Sequence, residues 1–480
     1  MELSKDLQAR QEVRDLVEAA AQAQNALREL DQAAIDRIVQ AMAQAGSDHA
    51  QELAELACSE TGFGITADKV EKNRFASQRV WERIRELKTV GVLWEDATRK
   101  IWEIAVPVGV IAGIVPSTNP TSTVIYKAMI ALKAGNTIVF SPHPGAKACT
   151  IRAAQILAEA AQAAGCPKGA IGCIRTPSMD AVDELMKHPK IRLILATGGG
   201  AMVRAAYSSG KPAIGVGAGN GPAYLHESCD WKQAVADIVR SKTFDNGTIC
   251  ASEQSIIVER SNAKRAEAEL IRQGCWILNE DDAKRLAGIL FRDNGTMNPK
   301  IVGKPASEIA KLAGLSAEAR QARVLIARET GAGKGHPFSY EKLCPVLGLY
   351  VVENQDEALE LACQVLHHEG SGHTFTIHTQ DSAVVRRFAL RVPVSRLLVN
   401  TPAALGGIGG TTNLFPALTL GCGAVGGSSS SNNIGPMDLL NIRRVAWGTQ
   451  NTGVPPAETA SADERLVELL TQKLLQKLTK

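Results

Sequence analysis

The sequence predicts an α/β protein with two doubly wound α/β domains forming a cleft. Two observations predict it. From about residue 105, short apolar runs alternate with segments carrying apolar residues three and four apart. The alternation restarts after residue 250, and 480 residues exceed one ordinary domain. Such alternation builds parallel strands joined by helices.

Residues 1–60 read as helices, because "LVEAAAQAQNALREL" and "AAIDRIVQAMAQA" are Ala-rich with the helical period. "IAVPVGVIAGIV" reads as one strand, "TSTVIYKAMIALKAG" as a helix closed by Gly135, and "NTIVFSP" as a strand. "GAKACTIRAAQILAEAAQAAG" is a helix ending at Gly165, "AIGCIRT" a strand, "MDAVDELMKH" a helix, and "IRLILATGGG" a strand running into a glycine turn. The second series starts with the strand "EQSIIVE", a helix over 261–274, and the strands "ARVLIARE" and "VLGLYVVEN". It continues through the helix "QDEALELACQVL", the strand "HTFTIHT", the helix "SAVVRRFAL" and the strand "SRLLVN". Residues 401–436, rich in Gly, Ser, Thr and Asn, form a long irregular stretch, and such loops are usually functional. "MDLLNIRRVAW" reads as a late strand.

"GTQNTGVPPAETA" then reads as a linker and "SADERLVELLTQKLLQKLTK" as an amphipathic helix. Ser461 and Glu464 have capping-box spacing. Val467, Leu470, Leu474 and Leu478 share a stripe, and Lys473, Lys477 and Lys480 suit the negative end of the helix dipole.

Composition narrows the function classes. A net charge of +3, with no long basic run, argues against a nucleic-acid partner. The longest apolar run, Ile104 to Pro116, is short of the ~20 residues that cross a bilayer, so no membrane partner is expected. The polar start "MELSKDLQARQEVRD" carries no signal-peptide pattern, which points to the cytoplasm. Ten cysteines without a CxxC pair point to a reducing compartment and no metal site.

Several motifs could carry chemistry. In "FDNGTICAS", Cys250 follows a turn of small residues that lets backbone approach a ligand, although an isolated cysteine also fits a buried filler thiol. In "IVPSTNPTST", Pro116 and Pro120 fix a strand-to-helix loop, and Asn119 suits either an oxyanion donor or a helix N-cap. "ATGGGAMVRAA" opens a helix behind three glycines, as a phosphate turn or a plain tight turn would. "SPHPGAK" follows the second strand of the first series, where such folds place an adenosine ribose, and it equally suits a Pro-rich turn. Glu341 in "EKLCPVLGLY" puts a carboxylate before a strand, and "HHEGSGHT" is dense in histidine without metal-ligand spacing.

In this order, these pieces resemble the aldehyde dehydrogenase superfamily over about residues 10–450, most closely its coenzyme-A-acylating branch of acetaldehyde and propionaldehyde dehydrogenases. "KTFDNGTICASEQS", "HHEGSGHT" and "LTLGCGAVGGSSSSNNIGPMDLLNIRRVA" carry the likeness. The resemblance implies Cys250 as nucleophile and Asn119 as oxyanion amide. It implies NAD held by Ser117, Thr118, Ser141, Pro142, His143, Thr197, Gly198, Gly199, Gly217, Glu341 and Pro345. It further implies a pocket at Thr248, Ile249 and His368 for a short-chain aldehyde, propionaldehyde or acetaldehyde, with coenzyme A as co-substrate. Residues 1–95 and 105–220 would bind the dinucleotide, 221–436 would hold the cysteine, and 96–104 with 437–449 would be oligomerisation strands of a homodimer or homotetramer.

Two departures matter. Where hydrolytic members carry a water-activating glutamate, the resemblance places Val216, so the acyl group has coenzyme A rather than water as its expected acceptor. Where they carry a Lys and an acid, "SPHP" stands, which would let NAD and coenzyme A share one pocket in turn. The tail resembles encapsulation peptides of bacterial microcompartment cargo, which implies a shell or co-cargo partner through residues 455–480. Three other readings stay open: acylation of a charged aldehyde such as sulfoacetaldehyde, reduction of an acyl phosphate, and a non-catalytic microcompartment assembly protein.

Overall fold

The computed structural model describes residues 5–293, 295–449 and 462–478. The chain divides into two compact units, Met1–Gly91 with Ala105–Asn441, and Val92–Ile104 with Ile442–Lys480.

Helices Lys5–Leu27, Gln32–Asp48, Ala50–Thr61 and Thr66–Arg74 precede strands β1 (Gly91–Asp96) and β2 (Ile101–Pro107). The first large sheet comprises β3 (Val110–Ile114), β4 (Thr137–Ser141), β5 (Ile171–Cys173), β6 (Ile191–Thr197) and β7 (Ala213–Val216). Its order is β5-β4-β3-β6-β7, and every pairing is parallel. The second comprises β8 (Gly221–Leu225), β9 (Glu253–Glu259), β10 (Cys275–Ile277), β11 (Val324–Arg328), β12 (Val346–Val352), β13 (Gly372–His378) and β14 (Val394–Val399). Its order is β10-β11-β12-β9-β8-β13-β14, again parallel. Residues of β3, β4 and β8 are buried throughout, as expected where helices cover both faces of a parallel sheet.

One expected strand is two. "IAVPVGVIAGIV" breaks between Pro107 and Val110, because Gly109 turns the chain with φ +118°, which a residue with a Cβ rarely adopts. The helices Glu280–Leu290 and Ala306–Leu312 lie outside the elements expected from the pattern.

The smaller unit is built on a three-stranded sheet, β1-β2-β15, with β15 at Leu440–Ala446. Trp102 and Trp447 meet edge to face at 4.9 Å, and Arg444 pairs with Glu103 at 3.0 Å. A helix spans Ala462–Leu478, and its Leu466, Val467, Leu470, Leu474 and Leu478 are all exposed. The linker from residue 450 to 460, the expected cap Ser461 and Lys480 lie outside the described residues.

Two sheet edges position the candidate site. The loops after β3, β4, β6 and β7 leave the carboxyl edge of the first sheet, where α/β folds bind ligands. Cys250 lies just before β9, Glu341 before β12 and His373 at the start of β13, on the amino edge of the second sheet. Residues 217–220 lead from the end of β7 straight into β8, so one edge runs into the other. A single apolar cluster holds the junction. It joins Ile125 and Met129 of the buried helix Pro120–Lys133 to Phe244, Ile249, Ala251 and Leu405. Among the described residues, no helix is long and apolar enough to cross a membrane, and no group of three His, Cys, Asp or Glu could hold a metal.

Candidate active site

The turn before Cys250 is unusual in its backbone. Asp245, Asn246 and Gly247 have φ of +47°, +52° and +74° in succession. Asp and Asn are the side-chain-bearing residues that enter this region most readily, because their short polar groups bond locally. Asp245 does so from full burial. Its carboxylate accepts from Ile65 N at 2.7 Å, Lys69 Nζ at 2.9 Å, the Thr248 hydroxyl at 2.7 Å, and Lys72 Nζ. Its own N–H donates to Asp68 at 2.7 Å.

Lys72 extends this network to Asn119. Its buried ammonium donates to Asp245, to the Thr248 hydroxyl at 3.0 Å, and to Asn119 Oδ1. An ammonium only donates, so the Asn119 oxygen must face Lys72 and its NH₂ must face away. One Nδ2 hydrogen bonds the Thr248 carbonyl at 3.1 Å; the other makes a long contact of 3.3 Å with Thr118 Oγ1 and remains for a ligand oxygen. Asn119 occupies the N-cap position of its helix without making a side-chain cap bond. Burial lowers the Lys72 ammonium to about 8, against the opposing pull of Asp245.

Cys250 is half-buried, with Sγ 3.2 Å from His373 Nε2. His373 Nδ1 lies 2.9 Å from Thr374 Oγ1. With that hydroxyl accepting from Nδ1–H, Nε2 is free to accept from the thiol. Burial pushes the Cys250 thiol up to about 12, with Glu341 adding to the effect. Burial, with the charge of Arg396, brings the His373 imidazole down to about 3. Both shifts favour the neutral thiol and the neutral imidazole over a thiolate–imidazolium pair. Arg396 is buried and bonds only oxygens of Ser431, Asn433, Gly372 and Gly421, so it meets no carboxylate among the described residues. Its charge favours a thiolate at Cys250 and opposes an imidazolium at His373. Gly219 closes over this corner, where any side chain would collide with the Cys250 carbonyl.

The loops at the carboxyl edge of the first sheet carry groups suited to a dinucleotide. Ser141 Oγ ends β4 and Thr197 Oγ1 ends β6; both are buried without a hydrogen-bond partner, as donors awaiting a ligand would be. Gly198 and Gly199 follow Thr197 at the N-terminus of the helix Gly200–Ser208, and space around Gly199 and Gly217 is open. Backbone N–H groups at such a terminus suit phosphate. Ser117 and Thr118 are half-buried beside Asn119, and Pro142 is buried. Glu341 accepts from Gly219 N at 2.8 Å, while its own N–H donates to the Glu369 carboxylate at 2.6 Å. Burial and Glu369 together push the Glu341 carboxyl up to about 8. These residues fit a bound dinucleotide.

Other expected residues have different surroundings. The imidazole on the thiol is His373, not His368, which sits exposed at the end of the helix Gln355–His368 with its ring edge-on to Tyr340 at 4.5 Å. The thiol's partner must lie on a strand pointing into the site, and only the later histidine of "HHEGSGHT" does. Thr248 is a strut of the turn, and Ile249 belongs to the apolar cluster. His143 Nδ1 accepts from Gly145 N at 3.0 Å and so caps its own turn. The Pro345 carbonyl accepts from Leu325 N at 3.0 Å at the start of β12. Lys69, Lys72, His373 and Arg396 were not singled out from sequence; only the histidine-dense motif held a signal, for His373.

The sequence matches the profile of the aldehyde dehydrogenase family over residues 5–274. It is 46% identical over 445 residues to the bifunctional aldehyde-alcohol dehydrogenase AdhE of Escherichia coli, covering 92% of this chain and 50% of that one. The chain thus spans half the length of that relative. A probable aldehyde dehydrogenase from Listeria monocytogenes superposes with TM-score 0.92 at 57% identity, covering 94% of this chain and 99% of that one. An acetylating aldehyde dehydrogenase from Geobacillus thermoglucosidasius superposes with TM-score 0.92 at 49% identity over 95% and 100%. A propionaldehyde dehydrogenase from a fucose-utilisation microcompartment of Clostridium phytofermentans gives TM-score 0.82 at 28% identity over 92% and 98%.

Proposed function

The chain belongs to the aldehyde dehydrogenase family, and on that premise we propose that it converts a short-chain aldehyde and coenzyme A into an acyl-CoA with reduction of NAD. One observation carries the reading. The Cys250 thiol lies 3.2 Å from His373 Nε2 where the two sheet edges meet, and apolar, buried Val216 stands where the resemblance puts the water-activating glutamate.

His373 Nε2 takes the thiol proton as Cys250 sulfur adds to the aldehyde carbon. The new oxyanion is met by the Cys250 backbone N–H and by the Asn119 Nδ2 hydrogen that turns to it from its long bond to Thr118 Oγ1. Loss of hydride from the tetrahedral carbon leaves a thioester on Cys250. When bound, NAD supplies the hydride acceptor. Ser141, Thr197, Gly198, Gly199, Gly217 and Glu341 would hold it, making the first sheet the dinucleotide-binding domain and the second the catalytic one. His373 gives its first proton up to solvent; the coenzyme A thiol then attacks the thioester as His373 accepts its proton, and that proton passes to the departing Cys250 sulfur. Omitting coenzyme A should limit NADH to a burst of about one per site with C2–C4 aldehydes, the mark of a covalent intermediate. Sustained NADH with free acid would refute the role given to Val216.

The helix Ala462–Leu478 serves in this reading as a capture peptide for a microcompartment shell or an enclosed enzyme. Its support is the row of exposed leucines and the microcompartment origin of the Clostridium phytofermentans neighbour. Strands β1, β2 and β15 would join subunits into a homodimer or homotetramer. Residues 455–480 fused to a fluorescent protein should enter shells; diffuse fluorescence would reject the assignment.

A further inference from the structure

A cavity of about 280 Å³ opens beside the catalytic turn. Its apolar wall includes Phe75, Phe244, Leu405 and Ile408, which belong to the same cluster that Cys250 packs against. Lys72 is part of its lining, so the cavity reaches the residue that holds Asn119. Lys72 is thus the side chain between this cavity and Asn119.

The remaining lining is cationic. Arg74 comes from the last turn of the helix Thr66–Arg74, Arg79 from the turn after it, and Arg240 from the last turn of the helix Trp231–Thr243. Arg79 pairs with Glu82 at 2.9 Å. Arg74 and Arg240 are exposed and make no ion pair among the described residues. Asp237, one turn before Arg240, is bonded to Gln233 at 2.8 Å instead. Glu71 is the one acid in the lining. Lys72 is already matched by Asp245, so the surplus charge is positive and comes from two different helices. A neutral alkyl aldehyde has no use for that arrangement. An aldehyde with an anion at its far end could lay its chain along the phenylalanines and leave the anion to guanidinium groups, which grip carboxylate and sulfonate in a planar fork.

We propose that this cavity is the aldehyde channel and that it selects short aldehydes ending in a carboxylate or sulfonate, held by Arg74 and Arg240. The proposal rests on the acylating reading above. Coenzyme-A-dependent NADH release would be compared for succinate semialdehyde, sulfoacetaldehyde and butanal. At low salt, at least one anionic aldehyde should exceed butanal in kcat/KM by about tenfold or more, and the advantage should shrink as ionic strength rises. Which of the two leads assigns the anion as carboxylate or sulfonate. In Arg74→Gln and Arg240→Gln, the ratio of anionic to neutral kcat/KM should fall by roughly tenfold, mostly through KM, as expected for a lost charge-assisted bond. Preference for butanal, or equal losses for all three aldehydes, overturns the proposal. Turnover of none of them would sink the acylating reading instead, and the subsite would then be judged by calorimetry with succinate. Succinate binding that disappears in the arginine variants supports it; no binding to the unsubstituted protein overturns it.

Discussion

Replacing Asp245 with Asn tests how the catalytic turn is held. Asn tolerates the φ of +47° at this position about as well as Asp, so the substitution removes charge while keeping shape. The carboxylate is the direct counter-charge of two buried lysines, Lys69 and Lys72. Removing one partner of a buried ion pair costs about 3–5 kcal/mol, since the other charge remains without compensation. Melting entropy near 2.1 cal/mol/K per residue gives about 1 kcal/mol/K for 480 residues, so Tm should fall by roughly 3–5 °C. Activity should fall further than stability alone requires. An unanchored Lys72 no longer fixes the Asn119 amide, and losing one preorganised oxyanion donor costs about 10²-fold or more in kcat. Differential scanning fluorimetry and coenzyme-A-dependent NADH release measure the two effects. A Tm within about 1 °C of the unsubstituted protein, with kcat within twofold, would refute the network as the device that positions Asn119.

Two more outcomes follow from the Cys250 environment. Because the thiol is pushed up to about 12, its thiolate fraction rises with pH across the neutral range, so iodoacetamide should modify Cys250 of the ligand-free protein about tenfold faster per pH unit from 6 to 9. A plateau beginning near pH 7, read by mass spectrometry of the Cys250 peptide, would mean a resting thiolate–imidazolium pair. His373→Ala should lower kcat by about 10²–10⁴-fold, with partial rescue by added imidazole. A variant keeping a tenth of the activity would remove His373 from the proton path.

The fold was largely legible because its strands are buried on both faces and therefore read as continuous apolar runs, as in "NTIVFSP" and "SIIVE". The reading failed where a run hid a turn: Val108 and Gly109 look apolar and strand-like, yet Gly109 redirects the chain between β2 and β3. Helix Glu280–Leu290 escaped for the opposite reason, since its charged first turn masks a short apolar face.

The candidate site divides along the same physical line. Cys250, Asn119 and the glycine turns sit in local motifs whose chemistry shows within ten residues of chain. The groups that govern their protons and positions do not. His373 lies 123 residues from the cysteine it touches, and Lys72 lies 173 residues from Asp245. In the linear sequence Lys72 is one more lysine on a polar helix, and its role exists only because folding buries it against the Asp245 carboxylate and the Asn119 amide. Folding also raises the thiol's affinity for its proton, because the desolvation behind that shift is a property of the packed site and not of the residues flanking it.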